Sequence, residues 1–258
     1  MSAVGRSENQ PGRIRTAGRL VLGGGGVLVA GAAVGHFLPA VASWRRLRCW
    51  AMPALSGVGQ PDHVALTFDD GPDPLSTPSF LDQLDVLGWR ATFFLLGPMV
   101  RRAPDLAAEL AARGHEVAVH GDEHRSHLHR SPAAIRDDVA RARDSIAEAT
   151  GAAPVWFRPP FGALSAGSLT AAHQLGLRPV LWTTWGRDWR SVATPSSVAA
   201  DVAKGLRPGA TVLLHDSDCT SAPDSWRSAL GALPALADLF ADQGLRVGPL
   251  AEHGLRAA

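Results

Sequence analysis

From Asp62 onward, short apolar runs of strand character take turns with segments of helical period. His63 to Phe68 reads as a buried strand, ended abruptly by Gly71-Pro72. Ser76-Thr77-Pro78 supplies a cap and a first-turn proline for a helix carrying Leu81, Leu84 and Leu87, and Ala91 to Leu96 returns to strand. A helix over Pro104 to Arg113 stops at Gly114, Glu116 to Val119 is a short strand, and Ser131-Pro132 opens a helix that ends at Gly151. Further strands are predicted at Val155 to Phe157, Pro179 to Trp182, Thr211 to Leu214 and Leu245 to Val247. Between them come helices near Ser168 to Leu175, after Thr194-Pro195, and over Ser225 to Ala241 with an interruption at Pro234. Seven or so such units in about 190 residues predict an α/β fold with mainly parallel strands, either a barrel or a doubly wound sheet. In both, the functional site lies at the C-terminal ends of the strands.

At 258 residues and 46% hydrophobic content the chain can bury one enzyme-sized core with an appendage. The net charge is only +1 and no basic run is interleaved with aromatics, so nucleic acid is excluded as an expected partner. The two cysteines, Cys49 and Cys219, are too few for a tetrahedral thiolate site; outside the cytoplasm they can form one disulfide.

Residues 1–19 are polar and arginine-rich, and read as a cytoplasmic tail. Residues 20–44 contain no Asp, Glu, Lys or Arg, a run long enough to span a bilayer core, which needs ~20 apolar residues. An uncleaved, single-pass transmembrane helix is expected there, placing the large domain outside the cytoplasm. The alternative is a secreted chain, cut after Ala40-Val41-Ala42. Residues 45–61 read as a linker, 62–250 as the folded domain and 251–258 as a C-terminal tail.

Chemistry gathers at the predicted strand ends. Asp69 and Asp70 sit together where two buried carboxylates need a metal, an arginine or water. His120 and His124, four apart just past a strand, can face one cation, with Asp122, Glu123, His127 and His129 as rival ligands and His115 as a structural residue. Asp70, His120 and His124 together make a three-residue set that leaves a metal open to water and substrate. That composition suits Zn²⁺, with other divalent first-row metals possible, and leaves Asp69 to take a proton from water. Arg158 precedes the rigid Pro159-Pro160-Phe161-Gly162 turn and can hold a carboxylate by a bidentate contact. Trp182 to Trp189 places three tryptophans around Asp188, as core or as a sugar-stacking surface. His215 ends a buried strand, where a general acid or a core histidine can stand.

Three of these motifs carry a resemblance. Thr67-Phe68-Asp69-Asp70-Gly71-Pro72, Arg158-Pro159-Pro160-Phe161-Gly162 and Leu213-Leu214-His215 resemble those of the NodB-homology polysaccharide deacetylases, carbohydrate esterase family 4, over roughly residues 62–250. The resemblance implies a distorted barrel of about seven strands and metal-dependent hydrolysis of an N-acetyl group on a glycan. It further implies Asp69 as general base oriented by Arg158, and Asp70, His120 and His124 as metal ligands. His215 would be the proton donor steadied by Asp188, Leu213 the wall of the acetyl pocket, and Phe161 and Trp189 contacts to the sugar. Peptidoglycan, a chitin-like oligomer and a lipid-linked sugar are the candidate substrates.

Two positions depart from the family pattern: Gly121 stands where a hydroxyl residue follows the first histidine, and Trp185 where an acid is usual. A glycoside hydrolase is a rival reading, but it needs two carboxylates roughly 5–10 Å apart, and Asp69 and Asp70 are adjacent. An inactive glycan-binding module would need none of the acid, base and ligand residues.

Overall fold

The computed structural model describes residues 45–255. The tail expected over 1–19 and the transmembrane helix expected over 20–44 lie outside the described residues, among which no helix is long and apolar enough to cross a membrane. Eight strands run in chain order: β1 His63–Asp69, β2 Thr92–Leu96, β3 Glu116–Gly121, β4 Trp156–Phe157, β5 Arg178–Pro179, β6 Thr184–Trp185, β7 Thr211–His215 and β8 Arg246–Gly248. They form one parallel sheet in the order β5-β4-β3-β2-β1-β7-β6, with β8 paired to the start of β1. The end strands β5 and β6 do not pair with each other, so the sheet curls into an incompletely closed barrel. Pro179 suits that edge because it has no N–H to offer a further strand.

A short helix α1 Arg45–Ala51 precedes β1, and the helices that connect the strands include α2 Thr77–Leu87, α3 Gly97–Arg102, α4 Pro104–Ala112 and α5 Pro132–Thr150. α6 Ala166–Gln174, α7 Pro195–Gly205 and α8 Trp226–Asp242 complete the shell. The period-2 alternation of the strands divides the core in two. Val64, Leu66 and Phe68, with Phe93, Val119, Phe157 and Leu214, pack outward against the helices. Ala65, Phe94, Ala118, Trp156 and Val180 fill the barrel interior. Every residue of β1 is buried, so the odd positions Thr67 and Asp69 enter the barrel as polar groups and need partners there.

Residues 45–61 are folded onto the domain and do not act as a linker. Leu181 N–H donates to the Leu55 carbonyl (2.8 Å), Thr211 Oγ1 donates to the Gly57 carbonyl (2.7 Å), and Arg48 Nη2 donates to the Trp182 carbonyl (2.6 Å). Gly57 has φ +72, and a Cβ there would sit 2.5 Å from Thr211 Oγ1, so the glycine is required by the close approach. Of the tail expected over 251–258, the described residues 251–255 are packed on the domain. His253 and Leu255 are buried, and the Leu255 carbonyl accepts from Arg178 Nη2 at 2.9 Å. Cys49 and Cys219 are both free, so the possible disulfide is not formed.

Candidate active site

Inward-facing positions at the C-terminal ends of β1, β3, β4 and β7 bring the expected residues together. Arg158, just past β4, is fully buried and aims into the barrel. Its Nη1 donates to Asp69 Oδ1 at 2.7 Å and to Thr67 Oγ1 at 2.8 Å, and its Nη2 to the Leu181 carbonyl at 3.0 Å. The guanidinium also lies 4.0 Å from the Phe94 ring centroid. Burial raises the Asp69 carboxyl above the ordinary carboxylate range, and the Arg158 charge pulls it partway back. Removing one partner of so buried a pair costs about 3–5 kcal/mol.

Asp70 leaves the strand in a left-handed conformation, φ 83, which turns its side chain away from its neighbour's. Its Oδ1 lies 3.4 Å from His120 Nε2 and 3.6 Å from His124 Nε2. The Nδ1 of His120 pairs with the Arg158 carbonyl at 2.9 Å; it must be the donor there, so Nε2 is bare and directed at Asp70. Burial pushes the His120 pKa down to about 3, against the pull of Asp70, which keeps the ring in its neutral, ligating form. Asp70 Oδ2 accepts from Thr220 Oγ1 at 2.6 Å, whereas Oδ1 is buried with no hydrogen-bond partner. An orphaned carboxylate oxygen facing the Nε2 atoms of two imidazoles, all three donor atoms within 4.8 Å, fits a divalent cation.

The rival ligands are spent elsewhere. Asp122 takes Arg101 at 2.7 Å and Arg141 at 3.1 Å, and Glu123 lies 3.5 Å from Arg125. His127 is buried with Nδ1 3.0 Å from Ser168 Oγ. His129 is not in the group that could hold a metal, and His115 is structural, accepting from the Ala91 N–H at 3.3 Å.

The loop carrying His120 and His124 is braced by a residue that sequence reasoning missed. Asp138, fully buried on α5, accepts from the Asp122 N–H through Oδ2 and from the Glu123 N–H through Oδ1, both at 3.0 Å. Arg130 Nη1 donates to the same Oδ1 at 3.0 Å. Gly121, φ +113, lets this happen, because a Cβ there would come within 3.0 Å of Asp138 Oδ2. The absent hydroxyl at position 121 is therefore answered by a helix carboxylate. Thr220, on the loop after β7, was likewise not foreseen.

Opposite Asp69 stands His215. Its N–H donates to Asp188 Oδ2 at 2.7 Å and its Nδ1 to Asp188 Oδ1 at 3.1 Å, so one carboxylate fixes both backbone and ring. Burial works against a charged His215 ring, but Asp188 and, beyond it, Asp70 and Asp69 outweigh it and push the pKa up to about 10. Between base and imidazole lies a cavity of about 260 Å³, lined in part by Leu213, Phe161 and Trp189. Trp189 meets His215 edge-on at 5.6 Å, and Phe161, 65% exposed, lies 4.4 Å from the His124 ring. Trp182, Trp185 and Trp189, all half-buried, form a run of ring contacts at 5.7 and 5.2 Å on the cavity wall.

The family model for polysaccharide deacetylase matches residues 56–180. A chitooligosaccharide deacetylase of Bradyrhizobium sp. is 36% identical over 184 residues, covering 67% of this chain and 84% of that protein. A peptidoglycan-N-acetylglucosamine deacetylase of Bacillus cereus is 36% identical over 155 residues, covering 59% of this chain and 72% of that protein. Among solved structures, a family 4 carbohydrate esterase from Streptomyces lividans in complex with acetate superposes with a TM-score of 0.65 at 32% identity. That match covers 72% of this chain and 92% of the esterase.

Proposed function

The chain belongs to the polysaccharide deacetylase family, hydrolases of carbon–nitrogen bonds, and on that premise we propose a Zn²⁺-dependent, extracytoplasmic deacetylase of amino sugars in a cell-wall polysaccharide or related glycan. One observation carries the reading: Asp69 held by Arg158 and His215 held by Asp188 flank the same cavity, beside the Asp70, His120 and His124 group. Asp69 takes a proton from the attacking water as its oxygen bonds to the acetyl carbon. His215 Nε2 gives a proton to the sugar nitrogen as the carbon–nitrogen bond breaks, so acetate and a free amine leave. Asp70, His120 and His124 would hold a divalent cation, which when bound would supply Lewis-acid polarisation of the acetyl carbonyl. Leu213 offers an apolar wall to the acetyl methyl, and Phe161 and Trp189 offer faces to the sugar ring.

The apolar run over 20–44 supports attachment to a membrane by a single helix, with this domain outside. A mature chain that begins at Ser43 would refute that attachment, and mass measurement of the N-terminus reads it. The function itself is tested by acetate release from peptidoglycan fragments, chitin oligomers and lipid-linked amino sugars. The full chain should release acetate, lose the activity to a chelator and regain it with Zn²⁺. No release from any of them, with Zn²⁺ or another divalent metal, would contradict the reading.

A further inference from the structure

Helix α1 is amphipathic in the sense opposite to a helix that faces water. Leu47, Trp50 and Ala51, at the i, i+3 and i+4 spacing that puts side chains on one face, are all exposed, Leu47 by 46% and Trp50 by 82%. Arg48, in the same turn, points inward and is only 6% exposed, donating to the Trp182 carbonyl at 2.6 Å and to Ser56 Oγ at 3.2 Å. Met52, 40% exposed, and Pro53 extend the apolar side, and no charged residue occurs between Cys49 and Pro61. A surface helix in water turns its apolar stripe to the core and its charges outward. Here the outward face is the apolar one, as for a helix lying against an apolar phase.

We propose that the Leu47, Trp50 and Ala51 face of α1 rests in the lipid interface of the membrane that residues 20–44 cross, so that the domain is docked on the bilayer and not suspended from it. The proposal rests on the reading of residues 20–44 as an anchor and adds a second lipid contact to it. The uncharged run ends at Trp44 and α1 begins at Arg45, with no spacer between them. From Arg45 to Trp50 is only ~8 Å along the helix, at ~1.5 Å per residue. The headgroup layer is ~5–8 Å deep, half the difference between a ~30 Å core and a ~40–45 Å bilayer. Trp50 is thereby kept near the depth that indole rings favour, apolar body toward the acyl chains and N–H toward water. Trp182, whose carbonyl Arg48 holds, lines the catalytic cavity, so the helix seated on lipid also buttresses the catalytic wall and keeps the chemistry near the membrane surface.

The test is tryptophan fluorescence of the full chain reconstituted into phosphatidylcholine vesicles whose acyl chains carry bromine near the headgroup, which quenches an indole only at close range. Trp50→Phe keeps the face apolar and removes one of the eight emitters, and because Trp50 is largely exposed the fold is not at stake. The emission missing from that variant is Trp50's own. It should be quenched by the bromolipid, so the quenched fraction should be smaller in Trp50→Phe than in the unaltered chain. A quenched fraction that is unchanged or larger overturns the proposal. Iodide in the water then tells what covers the face instead: quenching by iodide leaves Trp50 in water, and protection from it means cover by protein, either residues 20–44 folded back or a second copy. Flotation of the same vesicles keeps the two readings apart. A chain that floats without quenching of Trp50 retains its anchor and loses the docking, and a chain that does not float refutes both.

Discussion

Asp69 and Asp70 are consecutive, yet Asp69 accepts a 2.7 Å hydrogen bond from Arg158 while Asp70 turns a bare oxygen toward His120 and His124. The left-handed backbone at Asp70 makes the division, sending the first carboxylate into the barrel and the second across its mouth. Arg158 takes Asp69 Oδ1, while Asp70 Oδ1 faces His120 and His124, and the other Asp69 oxygen lies 3.8 Å from His120 Nε2. One side chain is thereby kept as a base, and the other as a ligand.

Asp138 should set metal affinity without touching the metal. Replacing it by Ala leaves the Asp122 and Glu123 amides and Arg130 without their acceptor and frees the loop between His120 and His124. Supports of metal ligands typically contribute about 10–100-fold in affinity, so zinc binding of Asp138→Ala should weaken by that order. Asp138→Asn, which keeps one acceptor oxygen, should fall between. Zinc titration checks this, and an unchanged affinity in Asp138→Ala would place the brace elsewhere.

The pH dependence of kcat/KM should be a bell whose two limbs answer to different residues. Asp69 acts ionised, so activity rises as pH climbs through its pKa; Arg158 lowers that pKa, and Arg158→Gln should move the acid limb to higher pH. His215 acts protonated, so activity falls as pH climbs through a pKa that Asp188 raises above the ordinary imidazole range against the effect of burial. Removing the charge with Asp188→Asn should bring the alkaline limb to lower pH by ~1–3 units. Profiles in which neither limb moves would separate these groups from the reaction.

Leaving-group dependence isolates the role of His215. An amine departs poorly without a proton, whereas an activated aryl ester needs little help. His215→Ala should therefore slow acetyl-amide hydrolysis by about 10²–10⁴-fold and aryl acetate hydrolysis far less. Equal losses on the two substrates would remove the donor role.

What was legible in the sequence followed the range of the interactions that fix it. Strands such as His63–Asp69 and Thr211–His215 are apolar runs with sharp ends, and their alternation alone decides that Asp69, Leu213 and His215 share the barrel interior. The two-residue strand Thr184–Trp185 carries no periodicity, and the six-residue helix Gly97–Arg102 is too short to show one. The break expected at Pro234 is absent from the helix Trp226–Asp242, because that proline is exposed and the helix is held by its buried face. Gly57 and Gly59 looked like part of a spacer, yet they serve close contacts with Thr211 and His253 that exist only once the barrel has formed. Asp138 and Thr220 were hidden for the same reason. Each reaches the site from an element distant in sequence, and nothing in its own neighbourhood announces the partner.

The division of labour between the two adjacent aspartates is tested most directly by measuring zinc content and glycan deacetylation together on Asp69→Asn and Asp70→Asn. Asp69→Asn keeps the shape and removes the basicity, so zinc should stay bound while turnover falls by about 10²–10⁴-fold. Asp70→Asn replaces an anionic ligand by a neutral amide oxygen, so zinc itself should be lost or weakly held. Loss of zinc in Asp69→Asn with full retention in Asp70→Asn would reverse the two roles, and full activity in both would contradict the mechanism.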